Sequence, residues 1–153
     1  MEICAEFYSI LAHLKRGVTA SQHQKTVQQI IDRIADNVRH PWTLEQLSRL
    51  SGYSVNHLIE IFRRETGMTP HAYIRETRLH AAQNLLITTD MSLASVSEEC
   101  GFGSYVNFYR AFVQVHHITP QAWRLRHLEA SGRKFSEKKP NKFHFFVDTS
   151  TKV

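Results

Sequence analysis

Two stretches of the chain, about fifty residues apart, carry the same order of residues. Gly52-Tyr53-Ser54 is followed by Leu58, Phe62 and Gly67-Met68-Thr69-Pro70, and later Gly101-Phe102-Gly103-Ser104 is followed by Phe108, Phe112 and His117-Ile118-Thr119-Pro120. The registration extends outward: Leu44, Leu47 and Ser48 match Leu93, Val96 and Ser97, and Tyr73 matches Trp123. In each copy an apolar-periodic segment stops at a glycine (Gly52, Gly101), the residue best able to take the left-handed conformation past a helix end. An aromatic residue and a serine follow, and then a second amphipathic segment. A short helix, a glycine-containing turn and a second helix make a helix-turn-helix, the unit that lays its second helix in the DNA major groove.

The remaining helices follow from periodicity and punctuation. Ile3, Phe7, Ile10, Leu11 and Leu14 predict an amphipathic helix over residues 2–15, ending near Arg16-Gly17. Val27, Ile30, Ile31, Ile34 and Val38 predict a second, closed by His40-Pro41 because the residue before proline resists the helical region. Thr43 with Gln46 forms a capping box that opens the first helix of copy one, whose inner face is Leu44, Leu47 and Leu50. Thr69-Pro70 and Thr119-Pro120 each join an N-cap side chain to a proline at the first helical position. The helix from Pro70 to Thr88 joins the copies and spans nearly 30 Å at about 1.5 Å per residue. One turn of B-DNA is about 34 Å, so such a rod suits two helices entering successive major grooves on one face of a duplex, as a monomer on an asymmetric site.

The sequence therefore divides into residues 1–22, an amphipathic helix and linker, residues 23–130, a double helix-turn-helix domain, and residues 131–153, a basic and disordered tail. Within the domain, the first helix-turn-helix covers 43–66, the linking helix 70–88 and the second helix-turn-helix 92–116. The fold class is all-α. Hydrophobic residues make up 42% of the 153-residue chain, enough to bury a core. No apolar run reaches membrane-spanning length and no signal-peptide pattern opens the chain, which reads as cytoplasmic with no membrane partner. The net charge is +5, but residues 131–153 hold six Lys/Arg against two acids, +4 of that total, leaving +1 for residues 1–130. Placement of charge, rather than its total, is what bears on DNA.

The pattern Gly52-Tyr53-Ser54, Leu58, Phe62, Gly67-x-Thr69-Pro70, Tyr73-Ile74, Arg78, Ala82, Leu85-Leu86, Gly101-Phe102, Phe108, Arg110, Phe112, Thr119-Pro120 and Trp123-Arg124 resembles the AraC/XylS family of bacterial transcription regulators, over residues 24–126. The resemblance implies a seven-helix DNA-binding domain, double-stranded DNA as partner, and an activator that also touches RNA polymerase. Most members carry a larger ligand-binding and dimerisation domain ahead of this unit. With about 22 residues there, this chain looks like the short, DNA-binding-only members or the C-terminal part of a longer one. Residues 2–15 either pack on the core or support a weak dimer. Without an attached sensing domain, abundance rather than a ligand is expected to set activity.

Candidate readers follow from helix geometry. In the first recognition helix Val55, Leu58, Ile61 and Phe62 face inward, leaving Asn56, Ile59, Glu60 and Arg63 outward. Asn56 suits adenine, Ile59 a thymine methyl and Glu60 cytosine N4. Glu60 departs from the short members, which often hold a basic or amide residue there; it either reads cytosine or pairs with Arg63 or Arg64. In the second, Phe108, Phe112 and Val115 face inward, and Tyr105, Val106, Tyr109 and Arg110 outward. Arg110 suits guanine, and Tyr105 is either a reader or core. Ser54, Arg64 and Ser104 are candidate phosphate contacts. Arg75 and Arg78 are expected to hold the halves together by salt bridges and packing. His117, standing where copy one has Gly67, predicts a strained or differently closed helix end.

Other classes find little support. Ten histidines are the only hint of metal, yet no His/Cys/Asp/Glu set has ligand spacing, and adjacent His116 and His117 diverge. Cys4 and Cys100 lie far apart, and Cys100 reads as a small buried hydrophobe. No nucleophile motif or phosphate-cradling glycine loop is present, so the chain reads as no enzyme, with no cofactor and no metal. The alternative is a truncated regulator that pairs through its N-terminal helix with a full-length partner.

Overall fold

In the computed structural model, the structure describes residues 22–130 and Gly132. The expected helix over 2–15 and the expected tail from 131 fall outside these, Gly132 apart. Seven helices and no strand occur among the described residues: α1 (22–36), α2 (Leu44–Ser51), α3 (Val55–Thr66), α4 (Pro70–Thr88), α5 (Leu93–Glu99), α6 (Tyr105–His116) and α7 (Pro120–Ala130). The first of these ends two residues before Val38, because the Asn37 carbonyl accepts from the His40 amide (3.2 Å) and from Trp42 Nε1 (3.0 Å), turning the chain.

Caps set the boundaries. The Gln46 amide donates to Thr43 Oγ1 (3.2 Å) while the Thr43 amide donates to Gln46 Oε1 (3.1 Å), completing the capping box. Thr69 and Thr119 accept from the Ala72 and Ala122 amides at 3.3 and 3.1 Å, ahead of their prolines. At the end of α6 the strained-cap expectation resolves simply. His117 takes the left-handed conformation (φ 56°) that Gly67 takes at the end of α3 (φ 76°), and its amide likewise returns to the carbonyl four residues back, Val113. The closure is the same; only the residue is unsuited to it. His117→Gly is therefore expected to raise stability by up to about 1 kcal/mol, read from urea unfolding, because glycine removes the left-handed penalty.

Two cores flank α4. Val27, Ile30, Ile34, Leu47, Leu58, Ile61, Phe62 and Ile74 bury one; Leu79, Ala82, Leu86, Val96, Cys100, Phe108 and Phe112 bury the other. Ile74 belongs to the first and Leu79 to the second, so α4 changes sides between them. Cys100 sits in this interior as expected, and burial, with Glu99 adding and Arg78 opposing, pushes its thiol up to about 11, leaving it a protonated hydrophobe.

Two inward assignments fail. Leu50 is 50% exposed, because 100° per residue carries it some 120° around α2 from Leu44. Val115 is 43% exposed although it shares the angular face of Phe108, because it lies in the last turn of α6, past the edge of the core. Its counterpart in the first copy is Glu65, also exposed, so comparing the repeats identifies the position as external.

Candidate nucleic-acid interface

Each recognition helix has an apolar floor and a solvent-facing roof. In α3, Leu58, Ile61 and Phe62 are fully buried, Val55 is half-buried, and Asn56, Glu60 and Arg63 are exposed. Ile59 is half-buried, so only part of its side chain is available outward. In α6 the floor is Phe108 and Phe112, while Tyr105 (41%), Val106 (43%) and Tyr109 (38%) are exposed together with Arg110. Of the two readings of Tyr105, core and surface, the geometry gives the surface: its ring touches Phe108 at 6.4 Å and Tyr109 at 6.0 Å without being enclosed. Partial burial, reinforced by Tyr109, raises its hydroxyl pKa, so the phenol stays a proton donor.

Both helices begin at serines that cap them. Ser54 Oγ accepts from the His57 amide (3.4 Å) and Ser104 Oγ from the Asn107 amide (3.2 Å). Accepting uses a lone pair, and each exposed hydroxyl keeps its proton to donate, as a phosphate contact requires.

The charged groups differ in their freedom. Arg64 donates to Glu65 (3.3 Å) and meets His23 Nδ1 (3.0 Å), so of the two ion-pair arrangements considered for Glu60, the Arg64 one is replaced by the neighbouring glutamate. Glu60, Arg63 and Arg110 make no side-chain hydrogen bond or ion pair among the described residues. Arg75 is exposed, whereas Arg78 donates through Nε to the Val38 carbonyl (3.2 Å) and through Nη2 to the His40 carbonyl (2.8 Å). Arg78 thus works by backbone carbonyls and not by a salt bridge, since a guanidinium fork fits two adjacent acceptors.

Periodicity alone missed two exposed side chains. His57, one step from Asn56, lies edge-on to Tyr53 (5.1 Å) and His23 (5.8 Å), and Asn107 donates to the Phe102 carbonyl (3.3 Å). Both sit in the first turn of a recognition helix, where base contacts concentrate. The helix-start position was the signal that could have found them.

The resulting surfaces are chemically unlike. The roof of α3 offers Asn56, His57, Glu60 and Arg63, all hydrogen-bonding groups; that of α6 offers two tyrosines, a valine, one arginine and Asn107. Among the described residues no helix is long and apolar enough to cross a membrane.

A family model described as a helix-turn-helix domain matches residues 47–126. The chain is 31% identical over 108 residues to the multiple antibiotic resistance protein MarA of Escherichia coli, covering 71% of this chain and 85% of that protein. It is 30% identical over 107 residues to the transcriptional activator RhaR of Klebsiella pneumoniae, covering 70% of this chain but 38% of the relative. Among solved structures, the DNA-binding domain of the global transcriptional factor AdpA in complex with a target DNA superposes with a TM-score of 0.68 at 24% identity, over 71% of this chain and 97% of that one, a likeness of fold.

Proposed function

The chain belongs to the AraC/XylS family of DNA-binding helix-turn-helix transcription regulators, and we propose that it reads an asymmetric, two-box DNA site as a monomer and activates transcription from it. The observation that carries this reading is the pair of exposed faces on α3 and α6, set on either side of a 19-residue rod. A rod of nearly 30 Å approaches the length of one duplex turn. The AdpA domain, which shares the fold, was solved in complex with a target DNA, and this supports the duplex as partner. The activator sense rests on the family resemblance and on relatives such as RhaR, and contact with RNA polymerase is part of that proposal.

In this reading, Asn56 and Arg63 donate to base edges, Glu60 accepts from cytosine, and the exposed part of Ile59 meets a thymine methyl under α3. Under α6, Arg110 forks onto guanine, while Tyr105, Val106 and Tyr109 cover thymine methyls. Ser54, Ser104 and Arg64 hold phosphates and carry no sequence information.

Competition of the purified chain for a randomised duplex pool at two salt concentrations, with Arg110→Ala alongside, tests this. The wild type is expected to select two boxes about one helical turn apart. The variant is expected to lose about 1–3 kcal/mol of discrimination in one box only. Binding that is weak, unselective and abolished by salt would overturn the reading, because phosphate attraction alone behaves in that way.

A further inference from the structure

The two copies use their turn glycines differently. Gly52 and Gly101 both take positive φ, at 72° and 74°. A Cβ added at Gly52 meets nothing within 4 Å, whereas one at Gly101 falls 2.9 Å from the carbonyl oxygens of Val38 and Arg39 and 3.0 Å from Arg39 Cα. Gly101 belongs to the second half of the molecule and residues 38–40 to the first. Backbone here packs on backbone, across the joint between the two readers.

Four further bonds converge on the same short segment. Arg78, which lies in the interval where α4 passes from the first core to the second, donates to the Val38 and His40 carbonyls. Arg39 reaches the other way, with Nη1 on Glu99 Oε1 (3.2 Å) and Nη2 on Glu98 Oε1 (3.3 Å). Residues 38–40 are held by α4 on one side and by the end of α5 on the other. A helix such as α4 fixes a separation well but resists twist between its ends less well than a second point of contact does, and the 38–40 segment is such a point.

We propose that the clasp formed by residues 38–40, Arg78, Gly101, Glu98 and Glu99 sets the rotation of α6 relative to α3, and so the number of base pairs that must separate the two DNA boxes. These are positioning residues: none lies on the outer face of a recognition helix. The inference rests on the two-box reading, but it makes a claim about the free protein as well. One base pair of spacing corresponds to about 34–36° of rotation along the duplex, so a small change at the clasp is read as a change of spacing.

The test compares Gly101→Ala with Gly52→Ala, which imposes the same left-handed strain without meeting the clasp. Each is titrated against duplexes whose boxes are those the wild type selects, with the spacing altered by one base pair in each direction. For Gly101→Ala, preference for the wild-type spacing over its neighbours is expected to fall at least about fivefold, the lower end of coupling between linked sites, while base preference within each box is kept. Gly52→Ala keeps both. Arg39→Glu, a change at an exposed site that leaves both cores intact, is expected to move spacing preference in the same direction and to be rescued by Glu98→Arg with Glu99→Arg.

A second readout needs no DNA. Spin labels at Arg49→Cys on α2 and Gln114→Cys on α6, both exposed positions, in a Cys4→Ser background, report the distance between the halves. A narrow distribution in the wild type and Gly52→Ala that broadens or shifts in Gly101→Ala supports the clasp even if the wild type selects no two-box site, which would sink only the DNA reading. Unchanged distributions and unchanged spacing preference in both Gly101→Ala and Arg39→Glu overturn it.

Discussion

Phe108→Ala is expected to remove about 3–5 kcal/mol of stability, the usual cost of emptying a buried aromatic site that cannot collapse. Phe108 is fully buried, and its ring lies 5.2 Å from Phe102 and 5.6 Å from Phe112, with Phe112 in turn 5.7 Å from Trp123. These centroids and their tilted or edge-on angles are the arrangement in which aromatic quadrupoles attract, so the loss includes specific ring contacts beyond area. A small domain holds some 5–15 kcal/mol in all, and the variant would retain little margin. The functional consequence is local. Phe108 is part of the floor on which α6 stands, with the Tyr105 ring beside it, and it belongs to the second core and not to the first. Urea unfolding measures the cost, and hydrogen exchange locates it: α6 amides are expected to open first, with α3 amides protected longer. Selection from a duplex pool should relax in the α6 box before the α3 box. A cost below about 1.5 kcal/mol would mean that the ring is not close-packed.

The helices were largely legible because their ends are written in short-range chemistry. Thr43 with Gln46, Ser54, Thr69-Pro70, Ser104 and Thr119-Pro120 each satisfy backbone amides within three residues, and such bonds depend on nothing distant. The α3, α4 and α6 boundaries accordingly coincide with the expected ones. Inward and outward faces were legible only where the helix lies over a core along its whole length. Val115 has the right angle and no core beneath it, and Leu50 lies on the margin between faces. Of the clasp at residues 38–40, only Arg78 was legible as a residue that holds the halves together; its carbonyl partners and the Arg39 pairs were not. The clasp joins groups 38 to 60 positions apart, Arg78 with Val38 and His40, Arg39 with Glu98 and Glu99, and such meetings are decided by how the two halves pack. The candidate readers follow angular position, so their exposure could be anticipated for Asn56, Glu60, Arg63, Val106, Tyr109 and Arg110; Ile59 is the half-buried exception.

Arg124→Met is expected to cost about 2–4 kcal/mol, although methionine fits the same space. Arg124 is 5% exposed, and the corresponding residue of the first copy is Ile74, at 6%. One repeat therefore fills this place with a hydrophobe and the other with a charge. The reason lies at the end of α4. The last carbonyls of any helix lack amide partners, and a cation placed there also meets the negative end of the helix dipole. No basic residue stands in the last turn of α4. Thr89 serves the Leu85 carbonyl, and Arg124 reaches from α7 to donate through Nε to the Leu86 carbonyl (3.1 Å) and through Nη2 to the Met91 carbonyl (2.7 Å). One side chain so caps α4 and fixes the turn into α5. Each bond from a charged donor contributes about 1.5–3 kcal/mol, and removing the donor leaves buried carbonyls unsatisfied. Against this stands the cost of burying the guanidinium, which lowers its pKa with Asp90 partly opposing, and which methionine would relieve. Two charge-assisted bonds to carbonyls at a helix end outweigh that relief, the one to Leu86 lying in the interior. Thermal unfolding decides the sign: a domain of this size is expected to lose roughly 4–8 °C per kcal/mol. A variant as stable as the wild type, or more so, would mean that desolvation cancels the bonds, and that Arg124 is kept for the pose of α5 and α6 alone.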